Sequence, residues 1–169
     1  LEPDLFLWLG DNIYADSDQP QALVDQYARG RAVERLAPFL RTTPQLATWD
    51  DHDFGFNDSD GSSPVKAESL AVFKDFWANP SYGEDGNPGV YFKQGFGGVD
   101  LLVLDGRYYR DPTTKPDTAD KTMLGPVQKA WLKRELKASR APFKVLAVGG
   151  GWSSAENEEG GDSWAVFLT

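Results

Sequence analysis

Apolar and polar positions alternate along this chain in blocks whose spacing predicts a series of strands and helices. The run Leu5-Phe6-Leu7-Trp8-Leu9 reads as a buried strand over about 4–9 that releases into a loop at Gly10-Asp11. From 21 to 40, Leu23, Val24, Tyr27, Val33, Leu36 and Leu40 recur at helical spacing and predict one helix with a single apolar face. A strand is expected over 45–49, then a polar loop through 57–64, then a helix over 65–77 that stops before Asn79-Pro80. Segments 90–94 and 99–105 flank Gly95-Phe96-Gly97-Gly98 and predict a hairpin, whose second strand carries Leu101-Leu102-Val103-Leu104 and is expected to be buried on both faces. After a polar loop over 111–122, Gly125-Pro126 opens a helix with Trp131, Leu132 and Leu136 on its apolar face, and 143–148 predicts another buried strand. Strands alternating with helices make the fold class α/β, and no repeat or linker divides 1–169 into more than one domain.

Composition narrows the class. The 169 residues are 40% hydrophobic and 13% aromatic, enough for one ordinary core. A net charge of -9 excludes the broad basic face that nucleic-acid backbones require, whereas metal ions can invert an acidic local field and still attract phosphate. With no cysteine, disulfides, thiolate catalysis and cysteine-bound zinc are excluded. No apolar run approaches the roughly 18 residues of a membrane span, and no basic-plus-apolar signal segment opens the chain. The start at Leu1, without an initiator methionine, points to a fragment or processed piece.

The chemistry concentrates in two places. Trp49-Asp50-Asp51-His52-Asp53-Phe54-Gly55 gathers three carboxylates around the single histidine of the chain, directly after an apolar strand. Such a group repels itself unless a cation or hydrogen-bond donors sit within it. Upstream, Leu9-Gly10-Asp11-Asn12-Ile13-Tyr14-Ala15-Asp16 leaves the first strand. Asp11 can bridge two hard cations, and a Tyr14 phenolate suits a trivalent iron that lowers its pKa. Water between two such ions becomes hydroxide near neutral pH and can attack phosphorus in line, while His52 protonates the leaving oxygen or binds the phosphate.

Each feature also has a plainer reading. A Gly-Asp-Asn after a strand is ordinarily a turn, and Asp50, Asp51 and Asp53 can form a solvated acidic loop. The Asn57-Asp58-Ser59-Asp60-Gly61 run lacks the first and last ligand positions of a calcium loop and reads as a turn. Tryptophans are expected in the core, and Gly149-Gly150-Gly151 lacks the lysine of a phosphate-binding loop.

Taken together and in order, these segments resemble the alkaline phosphatase D (PhoD-like) family of metallophosphatases and phosphodiesterases. The resemblance rests on Gly10-Asp11-Asn12-Ile13-Tyr14, on Trp49-Asp50-Asp51-His52-Asp53-Phe54-Gly55 with Asn57-Asp58 behind it, and on Leu104-Asp105-Gly106-Arg107-Tyr108-Tyr109-Arg110. It continues through Leu124-Gly125, Gln128, Trp131-Leu132, Leu136 and Phe143-Lys144-Val145.

The resemblance implies a metallophosphoesterase-like sandwich of mixed β-sheets flanked by helices, in an enzyme that hydrolyses phosphomonoesters and phosphodiesters. It implies that Asp11 bridges the metals, that Tyr14 ligates ferric iron with calcium as the companion ion or another divalent metal in its place, and that Asp51 is a metal ligand. His52 corresponds to the catalytic histidine. Asn12, Asp50 and Asn57 fall at positions next to the metals or the substrate, and Arg107 is read as holding a phosphate oxygen. A phosphate ester is the implied partner, and the periplasm or the cell exterior the implied location. Family members carry one more metal ligand before the Gly-Asp-Asn segment and a Gly-Asp-x-His segment beyond the last residue here. The domain is therefore expected to be incomplete at both ends, to bind metal poorly alone, and to expose sheet edges. A phosphate- or calcium-binding module without turnover is the alternative on the same scaffold.

Overall fold

The computed structural model describes residues 3–152 and 164–167. Its first unit is a parallel pair, β1 (Phe6–Leu9) and β2 (Gln45–Thr48), with Leu9 in register with Thr48. Parallel strands need a crossover between them. It is supplied by α1 (Pro20–Arg31), a 3-10 turn at Glu34–Leu36 and α2 (Ala37–Thr42).

The single helix expected over 21–40 is thus broken, and the cause is local. Val33 is extended (φ -66°, ψ 105°). Pro38 has no N–H to donate back to residue 34, and its ring would clash with that carbonyl, so it sits instead in the first turn of a new helix.

Beyond β2 come α3 (Asp51–Phe54), a single turn, and α4 (Lys66–Phe76), then the two-residue pair β3 (Gly83–Glu84) and β4 (Asn87–Pro88). A second sheet has the order β5 (Phe92–Phe96), β6 (Val99–Val103), β7 (Phe143–Ala147). Strands β5 and β6 are the predicted hairpin with its first strand shifted toward the turn, where Gly97 and Gly98 adopt φ of +54° and +88°. Two consecutive positive φ values twist a tight hairpin in the hand that strands prefer. Helix α5 (Gly125–Ala138) carries the chain over to β7, which pairs parallel to β6.

Alternation along the strands decides which layer each side chain joins. Leu5, Leu7 and Leu46 meet Phe92, Leu101, Val103 and Ala147 between the two sheets. Trp8 and Ala47 face the other way, into a cluster with Leu23 and Tyr27 of α1 and Leu70 and Phe73 of α4. On the far side Leu104, Tyr91 and Trp131 of α5 form a third cluster. The result is helices, sheet, sheet, helix, as the α/β expectation requires.

One strand departs from it. Residues 143–148 were expected to be buried, yet Phe143, Val145 and Leu146 are exposed, and the burial begins at Ala147 and Val148. Among the described residues β7 is the outer strand of its sheet, and its first four residues have no layer packed over them.

Candidate metal centre

Parallel pairing puts the ends of β1 and β2 side by side, and the site is built where these strands release their chains. Gly10 adopts φ +95°, and a Cβ there would lie 2.7 Å from Asp50 Cβ and 3.1 Å from Gly149 Cα. Gly149, just past β7, is equally confined, since its Cβ would meet the Trp49 carbonyl oxygen at 2.5 Å. Glycine at both positions lets three strand ends converge. The Gly149-Gly150-Gly151 segment therefore begins as a packing contact against the acidic loop.

Asp11, Asp51 and His52 each offer a ligand atom, and these atoms lie within 4.8 Å of one another. Asp11 Oδ1 is buried and meets no hydrogen-bond donor among the described residues, while Oδ2 accepts from Tyr14 Oη at 3.3 Å. A buried carboxylate oxygen left without a donor is costly unless something positive sits against it. Burial, then the neighbouring Asp51 charge, raises the Asp11 pKa above its ordinary value. Tyr14 is 60% exposed and packs on the His52 ring with centroids 4.2 Å apart. The Asp11 charge, followed by burial, raises the Tyr14 pKa. A cation would reverse that field, which is what a phenolate ligand requires.

Asp51 is held the other way. Burial acts to raise its pKa, but the Arg107 guanidinium, the Asp58 N–H and His52 outweigh it and keep the carboxyl below its ordinary value. The Asp58 N–H donates to Asp51 Oδ2 at 2.6 Å. His52 Nδ1 lies 2.6 Å from Asp16 Oδ1, which leaves Nε2 as the nitrogen available to the site. Burial lowers the His52 pKa, yet Asp16, Asp51 and Asp11 together raise it above 6.5.

Arg107 is 0% exposed and lies beneath the carboxylates. Its Nε donates to Asp50 Oδ1 at 2.5 Å, its Nη1 to the Ser59 carbonyl at 3.2 Å, and its Nη2 is 3.8 Å from Asp51 Oδ1. Asp105 sets that arginine in place by accepting the backbone N–H groups of Arg107 and Tyr108, each at 2.9 Å, together with Trp49 Nε1 at 2.8 Å. Asn12 Nδ2 donates to the Thr48 carbonyl at 2.9 Å, tying the first loop to β2. Asn57 is exposed, in the turn that returns the chain to Asp51.

Three residues contribute geometry that the motif reading did not assign: Asp16, Asp53 and Asp105. Among the described residues, the non-glycine positions with positive φ are Asp11 (+48°), Asp16 (+45°) and Asp58 (+60°), and all three touch the cluster. Left-handed aspartates store strain that surrounding contacts must hold. Asp16 had one sequence signal, its place in the Asp11-to-Asp16 segment. Asp105 had another, as an acid directly after the apolar run Leu101-Leu102-Val103-Leu104.

Asp53 is fully buried, and burial raises its pKa to about 7 despite hydrogen bonds from Tyr27, Asp50 and Asn12. Its ordinary value is 3.8, so between about pH 4 and 7 the folded state binds more protons than the unfolded one, and stability falls as pH rises through that window. His52, also raised, loses its contribution in the same direction as pH climbs through its folded value. The opposing contribution of Asp51 is complete by about pH 4. In chelator, the protein is expected to melt at a higher temperature at pH 5 than at pH 8, with Asp53 supplying up to about 1.4 kcal/mol per pH unit. Asp53→Asn should flatten the profile, and a melting temperature that rises from pH 5 to 8 would sink the assignment.

The fold and the cluster define a class: an α/β sandwich that gathers two carboxylates and an imidazole at its strand ends, a set of donors that could hold a metal ion. Residues 1–165 match the family model described as PhoD-like phosphatase, and the chain belongs to that family. A solved structure titled "Structure of PhoD" superposes with a TM-score of 0.80 at 23% identity over 99% of this chain, which shows the shared fold. The chain spans 41% of that structure's length. No curated protein matches. Among the described residues, no helix is long and apolar enough to cross a membrane.

Proposed function

We propose that this chain forms part of a metal-dependent phosphoric ester hydrolase acting on phosphomonoesters or phosphodiesters. The observation that carries the reading is the buried Asp11 Oδ1, which meets no donor among the described residues, within a cluster that also holds Asp51 and His52. The donor set fits hard cations: carboxylate oxygens, one imidazole, and a phenol alongside. Asp11, Asp51 and Tyr14 would hold the metal, with ferric iron and calcium as the proposed pair. Such ions supply Lewis acidity and water of lowered pKa.

The chain's own residues do the rest. Arg107 fixes Asp50 by its Nε contact and helps to keep Asp51 ionised, so that the ligand carboxylate is ready near neutral pH. Asp16 holds the His52 ring by Nδ1, which presents Nε2 for hydrogen-bonding a phosphate oxygen or giving a proton to the leaving oxygen. Asn12, Asp50 and Asn57 line or brace the same end of the fold. Export to the periplasm or beyond the cell belongs to this proposal, and cell fractionation tests it.

A second reading, a phosphate- or calcium-binding module without turnover, draws on the small number of clustered donors, Asp11, Asp51 and His52. The test is metal content by elemental mass spectrometry after incubation with iron and calcium, followed by hydrolysis of p-nitrophenyl phosphate and bis-p-nitrophenyl phosphate. Retained metal with turnover that collapses in Asp51→Asn supports the hydrolase. Retained metal without turnover, with binding alone weakened in Asp51→Asn, favours the module. No retained metal at saturating supply overturns metal-dependent hydrolysis by this chain alone and the calcium-binding module, and leaves phosphate binding, read by calorimetry with inorganic phosphate, to decide the phosphate-binding one.

A further inference from the structure

The Tyr27–Asp53 pair lies behind the cluster and takes no part in ligation as described so far. Tyr27 Oη donates to Asp53 Oδ1 at 2.6 Å, and both side chains are buried. The other oxygen, Asp53 Oδ2, accepts two backbone N–H groups from different strand ends: Asn12 at 3.2 Å and Asp50 at 3.1 Å. One side chain therefore ties the residue following Asp11 to the residue preceding Asp51. The two loops have no covalent connection closer than the α1–α2 crossover, so their separation has to be set by contacts of this kind.

We infer that Asp53, held by Tyr27, is a positioning residue that fixes the spacing between the Asp11 loop and the Asp51–His52 turn. The inference rests on the metal-site reading above for its consequence, though the clamp itself stands on the geometry. A carboxylate is the side chain suited to the task, because its two oxygens accept on opposite sides at once. The α1 helix then serves the site by delivering Tyr27. Its hydroxyl restricts the Asp53 carboxylate to one orientation, and Tyr27 is itself wedged against Phe73 and Phe76 with ring centroids 6.4 and 4.9 Å away.

A single histidine makes the test direct, since the imidazole resonances of the full chain report His52 alone. Wild type, Tyr27→Phe and Asp53→Asn are compared in chelator by the His52 imidazole signal, and by calorimetric titration with calcium. Tyr91→Phe is the control, because Tyr91 Oη bonds Asn87 in the α5-side cluster. The clamp predicts a shifted or doubled His52 signal in Tyr27→Phe and calcium affinity down about tenfold, the scale of lost ligand support, with neither change in Tyr91→Phe. A His52 signal in Tyr27→Phe that superposes on wild type overturns it. If wild type binds no calcium or iron, the metal reading fails, and the His52 signal still decides the clamp. Should Asp53→Asn not fold, Tyr27→Phe carries the comparison.

Discussion

Asp11→Asn is expected to abolish metal retention while leaving the metal-free fold at least as stable as wild type. The two effects have opposite signs for one reason. Asp11 carries a buried oxygen that meets no donor among the described residues and faces Asp51, so its charge is unfavourable until a cation arrives. Its raised pKa means that the ionised form costs stability at neutral pH, and asparagine removes the charge at nearly constant shape. Asparagine also tolerates the left-handed backbone at this position, so the substitution adds little strain. Loss of partners outside the coordination shell typically weakens metal sites 10- to 100-fold, so loss of a ligand should exceed about 100-fold. Elemental analysis after incubation with iron and calcium should find almost no metal, and melting in chelator should occur at or above the wild-type temperature. Metal retained at the wild-type level would remove Asp11 from the site.

Arg107→Met should have the largest effect on stability. The guanidinium is completely buried and holds Asp50 and Asp51, which are 9% and 5% exposed. Removing one side of a buried ion pair strands the other, and such losses run to about 3–5 kcal/mol, against a total stability of roughly 5–15 kcal/mol for a domain. Methionine keeps much of the volume, so the loss reports charge and hydrogen bonding rather than a cavity. Arg107→Lys should recover only part of it, since an ammonium cannot reproduce the Nε and Nη contacts together. Urea unfolding in chelator measures both variants. A loss below about 1 kcal/mol in Arg107→Met would show that the carboxylates are satisfied without it. Calcium or iron should narrow the gap, because a bound cation replaces part of the missing positive charge.

The elements that local pattern could reveal were the ones whose cause is local. β1, β2, α4 and α5 appear within a residue or two of where apolar spacing and the Gly125-Pro126 start place them. Periodicity misled where backbone conformation changes without a change in spacing: Val33, Leu36 and Leu40 keep helical spacing across a break at the extended Val33, with Pro38 opening a separate helix beyond it. β7 misled for a different reason. Its sequence is as apolar as an inner strand, and nothing in a run of Phe, Val, Leu and Ala says whether a second layer lies over it.

The candidate site divides along the same line. The types of residue and their two segments were readable because a lone histidine among carboxylates after an apolar strand has few inexpensive explanations. Which of those carboxylates are alike was not readable. Asp50, Asp51 and Asp53 are neighbours in the chain and differ completely in space: one pairs with Arg107, one joins Asp11 and His52, and one is buried between two loops and Tyr27. Arg107 was read from sequence as a phosphate holder, and the structure puts it under Asp50 and Asp51.

Residue chemistry and short-range order were thus settled by the amino-acid sequence: the acidic, cysteine-free composition, the strand and helix periods, and the donors on offer. Partnership was settled by the parallel pairing of β1 with β2 and by the crossovers that bring residues 10, 50, 105 and 149 to one end of the sandwich. The reason is that side-chain type and backbone preference act over a few residues. The field at a carboxylate, and so its charge and its role, depends on groups that folding brings within a few ångströms from anywhere in the chain.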